Sequence, residues 1–262
     1  MLFGRLGRHV KAQNWFAVMV DLGVLIIGLF LAFQVDRWWD HRRELAEERS
    51  YIDRLIEDVQ IDIPNLQYGI GLQTMRLGFA DLLMDVAADP AAALQRPMEF
   101  LVAVDQAAFT YTPILTRTTF EDLRSTGNMG LIRDTAIKRA LYDYHGFDQS
   151  QWQYRPLQFD TEFRHFTLTA GVLDDAQSRF LQDHYLLVGP ADIDELRAAK
   201  PDLEGVKAAV ERFRAKPELL DWLGQVRQIQ KEAIGTHGGR LERAQKLLEL
   251  LQAYRGRLGD GG

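Results

Sequence analysis

The chain has no cysteine, which excludes disulfides, thiolate-bound zinc and thiol catalysis together. It has no excess of basic residues: 31 Lys and Arg stand against 37 Asp and Glu, a formal charge of −6. Nucleic acid is therefore not an expected partner, since phosphate binding needs a basic field. No segment sustains polar–apolar alternation, so little sheet is expected. There is no Walker loop, no G-x-G-x-x-G, no G-x-S-x-G and no H-E-x-x-H. Consequently no catalytic residue, metal ligand or cofactor is assigned. Glu162 and His165 form an E-x-x-H pair, half of a di-iron carboxylate motif, but no second copy accompanies it. His145 and His184 have no acid or nucleophile at a recognised spacing, and His237 sits in Gly235–Gly239, GTHGG, whose glycines should expose it.

What the sequence does have is one long apolar run, Phe16 to Val35, FAVMVDLGVLIIGLFLAFQV. Twenty helical residues rise about 30 Å, the thickness of a bilayer's hydrocarbon core. Thirteen of the twenty are Val, Leu, Ile or Phe. Each favours insertion by roughly 0.3 to 0.6 kcal/mol near the centre, against about 2.5 to 3.5 for a central Asp. Asp21 is not central, so insertion wins. Trp15 at one end and Trp38 with Trp39 at the other sit where an aromatic belt meets headgroups. The run exceeds a signal-peptide core and no small-residue cleavage site follows, so the anchor is expected to stay attached.

Asp21 is the odd residue of the span. At 100° per residue Ala17, Asp21, Gly28 and Ala32 fall within about 60° of one another. This small-residue stripe lets helices approach closely, and an intramembrane carboxylate needs a partner or a wet cavity. The expected role is assembly, with another copy or a membrane partner. The alternative is a proton-coupled single-span subunit of a larger membrane complex. Arg5, Arg8 and Lys11 precede the span without an acid, but Arg37, Arg42, Arg43 and Arg49 follow it, so the basic residues alone do not fix the orientation. A short N-terminal tail need not cross, and a cytoplasmic N-terminus with an extracytoplasmic domain is the expectation.

The expected organisation is a basic tail over 1–15, a transmembrane helix over 16–35, an amphipathic juxtamembrane helix over 36–63, a helical domain over 64–258 and a disordered tail over 259–262. The fold class is all-α. Leu45, Ile52, Leu55, Val59, Ile63 and Leu66 form one stripe, expected to pack within the domain. Pro64 predicts a kink or break at Ile63, and 87–97 reads as a connection. Met98–Phe109 reads as helix, with 110–116 irregular around Pro113. Thr118 and Glu121 fit a capping box, Gly127 a helix stop, and Asp134 the start of the next helix. The aromatics Trp152, Tyr154, Phe159, Phe163, Phe166, Phe180 and Tyr185 recur at helical spacings, which predicts a buried face. Pro201 and Pro217 read as first-turn residues. The last helix is expected from Glu218 to Leu258, bent or closely packed at Gly235–Gly239, with its end fraying from Gly256.

The stretch VDLGVLIIGLFLAFQVDRWWDHRRELAEERSYIDRLIEDVQID resembles a family of uncharacterised single-pass bacterial membrane proteins, classed as a domain of unknown function. There an acidic residue opens the span and Ala-x-Gln-x-x-x-Trp closes it; Asp21, Gly28, Ala32, Gln34 and Trp38 fall on that pattern. TTFEDLRSTGNMGLI, Thr118 to Ile132, is similar to the family's second block. Asp21 stands where the family carries Glu, and Trp39 is an addition. The resemblance implies a bacterial inner-membrane location and a helical domain, and lends no activity; with the N-terminus expected in the cytoplasm, that domain is expected in the periplasm. In layout alone the chain also resembles the single-span subunits of proton-driven stators.

Overall fold

The structure, a computed structural model, describes residues 15–151 and 155–259; for a few at the ends of helices only the backbone is described. All regular structure among these residues is helical. The helices are α1 (Trp15–Ala88), α2 (Ala91–Gln95), α3 (Pro97–Gln106), α4 (Thr118–Ser125), α5 (Thr135–Gln151), α6 (Arg155–Thr169), α7 (Asp175–His184), α8 (Ile193–Ala198), α9 (Leu203–Arg214) and α10 (Pro217–Gly259). The chain divides into two compact units, Met1–Tyr51 and Ile52–Gly262.

In the first unit, the described side chains from Leu22 to Val35 are nearly all exposed, among them Leu25 at 66% and Phe33 at 57%. This is the only helix among the described residues long and apolar enough to cross a membrane, and its apolar window is 0% buried.

The second unit is built on the remainder of α1 and on α10, which run antiparallel. Asp53 pairs with Arg255 and Asp81 with Arg227, each at 2.5 Å. The acids are 28 residues apart on α1 and the arginines 28 apart on α10, so the two helices keep one register over about 42 Å. Both bury a seam at alternating steps of three and four. On α1 it runs Ile52, Leu55, Val59, Asp62, Leu66, Gly69, Gln73, Arg76, Ala80, Leu83. On α10 it runs Leu219, Leu223, Val226, Gln230, Ala233, His237, Arg240, Ala244, Leu247, Leu251, Tyr254. This is coiled-coil spacing with polar residues in the middle of each helix.

The apolar core lies toward the α3 end. α3 is apolar nearly all round, and Met98 through Val104 are all buried, as such a helix must be. Phe100 meets Phe213 of α9 edge-on at 5.8 Å, with Leu83, Val206 and Leu223 in the same cluster. Glu99 is 2% exposed and bonds both Arg96 and Arg197, which ties α3 to α8.

Several expectations need correction. Pro64 lies inside α1 without a break. It and Gln60, the residue four earlier whose carbonyl loses its donor, are both exposed, so water takes the lost bond while Val59, Asp62 and Leu66 hold the helix from the buried side. Thr118 is not a capping residue: Arg117 occupies the N-cap of α4 without a side-chain bond. Asp58 of α1 instead accepts the Thr119 N–H at 3.1 Å. The connection over 87–97 contains the short helix α2. Asp202 caps α9 through the Glu204 and Gly205 N–H groups, so Pro201 precedes the cap. α10 continues through Gly235–Gly239 as one long helix, as expected, but it runs on to Gly259, so 256–259, expected to fray, are helical. Residues 1–14 and 260–262, like Trp152 and Tyr154, lie outside the described residues.

Other readings hold. Gly127 takes a left-handed φ of 78°, Asp134 accepts the Ala136 and Ile137 N–H groups at the start of α5, and Pro217 opens α10.

Candidate functional site

Between α3 and α4 the chain has no regular structure from Phe109 to Arg117. A non-helical segment inside a bundle carries peptide groups with no ladder to join, and each costs free energy if left without a partner. The polar residues of the two seams supply those partners.

Gln230 of α10 donates to the Ala107 and Phe109 carbonyls at 2.8 and 3.1 Å. Arg76 of α1 also donates to Phe109 O, from Nη1 at 3.2 Å. The Tyr111 carbonyl accepts from Gln73 Nε2 at 3.2 Å and from His237 Nε2 at 2.8 Å. Glu162 of α6 accepts both the N–H and the hydroxyl of Thr110 through Oε1. Asp62 accepts the Thr116 N–H at 2.7 Å through one oxygen and the Tyr144 hydroxyl at 2.8 Å through the other. The 109–117 segment is thus a strap sewn to α1, α6 and α10 by side chains, and Gly69 lets it lie flat against α1. A Cβ there would sit 2.9 Å from Pro113 Cγ and 3.3 Å from Tyr111 Cδ1.

Burial sets the protonation of this layer. His237 and His165 are nearly fully buried, and desolvation lowers each pKa to about 4; the carbonyls of Tyr111 and Val104 offset this only in part. Both rings are therefore neutral at pH 7, with Nε2 carrying the proton toward the carbonyl. His145, stacked on Phe120 at 4.3 Å, is lowered to about 4 by burial and by nearby Arg117. Burial raises Asp62, although Thr116 and Tyr144 pull it back. It lowers Arg76, with Glu162 opposing.

Beside the strap is a cavity of ≈ 420 Å³ lined by Tyr68, Leu72 and Arg76 of α1, Phe109 to Tyr111 of the strap, Glu162 of α6, and Leu187 with Val188. Tyr68 and Tyr111 meet edge-on with ring centroids 5.7 Å apart. Arg76 is 4% exposed, and it has no hydrogen-bond acceptor among the described residues apart from Phe109 O.

The residues singled out in the sequence fare differently. Trp15, Ala17 and Asp21 lie within α1, but their side chains are outside what the structure describes. Gly28 has open space around it, Ala32 is exposed, and Trp38 and Trp39 are 49% and 61% exposed, with Arg42 stacked over Trp38 at 4.3 Å. Glu162 and His165 do not act as a pair, since one holds Thr110 and the other the Val104 carbonyl. Among the described residues no group of three His, Cys, Asp or Glu is placed to hold a metal. His237, expected to be exposed by its glycines, is buried at 3% because its ring turns inward to the strap.

The aromatic face of α6 is also corrected. Phe159, Phe163 and Phe166 are 64%, 73% and 63% exposed, whereas Thr161, His165 and Thr169 face inward. Sequence reasoning missed Asp62, Gln73, Arg76 and Gln230 because they are polar. The signal that could have found them is the unbroken three-four spacing that carries them into the seams.

No protein-family model, curated protein or solved structure matches the chain.

Proposed function

We infer that the chain is a single-pass membrane protein, held by the apolar stretch of α1 and assembling in the bilayer through the stripe that carries Asp21. The observation behind this reading is the exposed apolar surface from Leu22 to Val35. In water a contiguous patch of this kind is a strong aggregation liability, whereas in lipid it is the ordinary surface of a spanning helix. Trp38 and Trp39, exposed and followed by charged residues, fit the headgroup layer.

Basic residues flank the span on both sides, and the short N-terminal tail is the segment that stays in the cytoplasm in this reading, which would put the helical domain on the far side of a bacterial inner membrane, in the periplasm. Within the span, Gly28 and Ala32 offer a partner helix a close approach beside Asp21, and the carboxyl group supplies a hydrogen bond in a medium with few competitors.

Native mass measurement of the full chain in mild detergent tests the assembly. Oligomers, or a co-purifying membrane protein, are expected for the natural sequence and for Asp21→Asn, which keeps a hydrogen-bonding side chain. Dissociation is expected for Gly28→Leu and Asp21→Leu. A monomer without a partner under all conditions would contradict the assembly role.

A further inference from the structure

The strap explains one of Arg76's donors and leaves the others unused. Nη1 donates to Phe109 O, Nε is buried without an acceptor, and Nη2 has none among the described residues. A guanidinium taken out of water ordinarily meets a carboxylate in the forked geometry that suits it. No carboxylate pairs with Arg76 among the described residues. Glu162 lines the same cavity and attracts Arg76 electrostatically, but its Oε1 is already committed to Thr110. Its Oε2 has no donor among the described residues.

The ≈ 420 Å³ cavity therefore presents one buried cation and one anchored anion on the same wall system, with Leu72, Phe109, Leu187 and the rings of Tyr68 and Tyr111 between them. That volume is within the range of small-molecule sites, and an apolar lining with a few convergent polar groups is their usual composition. A plain anion entering here would gain Arg76 and be repelled by Glu162. A plain cation would gain Glu162 and be repelled by Arg76. Only a molecule carrying both charges answers both walls.

We propose that this cavity binds a small zwitterion, an α-amino acid with an apolar side chain, its carboxylate on Nη2 of Arg76, the donor that is neither bonded to the strap nor sealed from the cavity, and its ammonium group on Glu162. The side chain packs against Leu72 and Leu187, and the Tyr68 and Tyr111 rings flank the ammonium group, where their faces add to the attraction. The site lies wholly within the second unit and does not rest on the membrane assignment. Ligand binding would tie α1, the strap and α6 together at one point, which gives the domain a ligand-dependent stability.

The test is calorimetric titration, together with thermal melting, of the detergent-purified full chain against the apolar amino acids valine, leucine and phenylalanine. For the best of them, the analogue lacking the amine and the analogue lacking the carboxylate are run alongside; for leucine these are 4-methylpentanoate and 3-methylbutylamine. A saturable response is expected for at least one amino acid, with each analogue weaker by about tenfold or more. Arg76→Met is expected to abolish binding. Glu162→Gln, which keeps the acceptor for Thr110, is expected to fold normally and to lose the preference for the amino acid over its carboxylate-only analogue. Three results overturn the proposal: no saturable response up to about 10 mM, equal responses to amino acid and analogues, or an unaltered preference in Glu162→Gln. None of the three needs the Arg76 variant, so they stand even if Arg76→Met fails to fold.

Discussion

Gly69 of α1 lies so close to Pro113 that a single added methyl group would sit 2.9 Å from the proline Cγ. This contact fixes how deeply the strap enters the bundle, since the neighbouring Tyr111 carbonyl must reach both Gln73 and His237. Gly69→Ala should therefore destabilise the second unit by about 1 to 3 kcal/mol through overpacking. Gly78, on the same helix with nothing within 4 Å of a built Cβ, provides the contrast. Gly78→Ala should stabilise by about 0.5 to 1 kcal/mol, because alanine is the better helix former and the space is empty. Urea unfolding of the two variants in the same background measures both.

Asp62 is the joint between the strap and α5. Removing it as Asp62→Ala leaves the Thr116 N–H and the Tyr144 hydroxyl without their acceptor in a buried site. A loss of about 2 to 4 kcal/mol is expected. Tyr144→Phe removes one donor and leaves Asp62 its bond to Thr116, so it should cost about 1 kcal/mol. A larger effect from Tyr144→Phe than from Asp62→Ala would mean that Asp62 is not the organising group.

The ion pairs that mark the register of α1 and α10 should matter far less. Asp81 and Arg227 are 45% and 38% exposed, so water screens them and ordering their side chains offsets much of the attraction. Asp81→Asn should change stability by less than about 1 kcal/mol, and raised salt should reduce the difference further.

Acid should unfold the domain through its histidines. His145, His165 and His237 stay neutral in the fold down to about pH 4, while in the unfolded chain each takes up a proton near 6.5. Between those values the unfolded state binds more protons, so stability is lost as the pH falls, by about 1.4 kcal/mol per pH unit for each histidine. Asp62 and Asp105, raised by burial above 3.8, act in the opposite sense and soften the loss at its acid end. Replacing His237 by Gln, whose amide can still donate to Tyr111 O, should reduce the slope of stability against pH by one proton. Melting temperatures from pH 7 to 4.5 show whether it does.

The all-helical class was legible because apolar residues recur at helical steps wherever the helices bury them. Ile52, Leu55, Val59 and Leu66 on α1, and Leu223, Val226, Leu247 and Leu251 on α10, are all buried as the spacing requires. The middle of each seam was not legible, because Asp62, Gln73, Arg76, Gln230 and His237 occupy core positions in order to satisfy a strap that joins neither helix in sequence. That pairing is a tertiary fact, and local periodicity carries no trace of which carbonyl a glutamine will meet. The aromatics of α6 show the converse error. Phe159, Phe163 and Phe166 have the right spacing for a buried face, but His165 and Glu162 bind α3 and the strap and turn that face outward. Pro64 was given too much weight because a missing hydrogen bond on the wet side of a long, well-anchored helix is replaced by water.

The measurement that bears most directly on the proposed function is alkaline carbonate extraction of membranes from cells making the full chain, beside cells making residues 52–262 alone. The full chain should stay in the pelleted membranes and be released only by detergent, and the fragment should be soluble without it. Release of the full chain by carbonate, or its recovery as a soluble protein after cell breakage, would contradict a spanning anchor in α1.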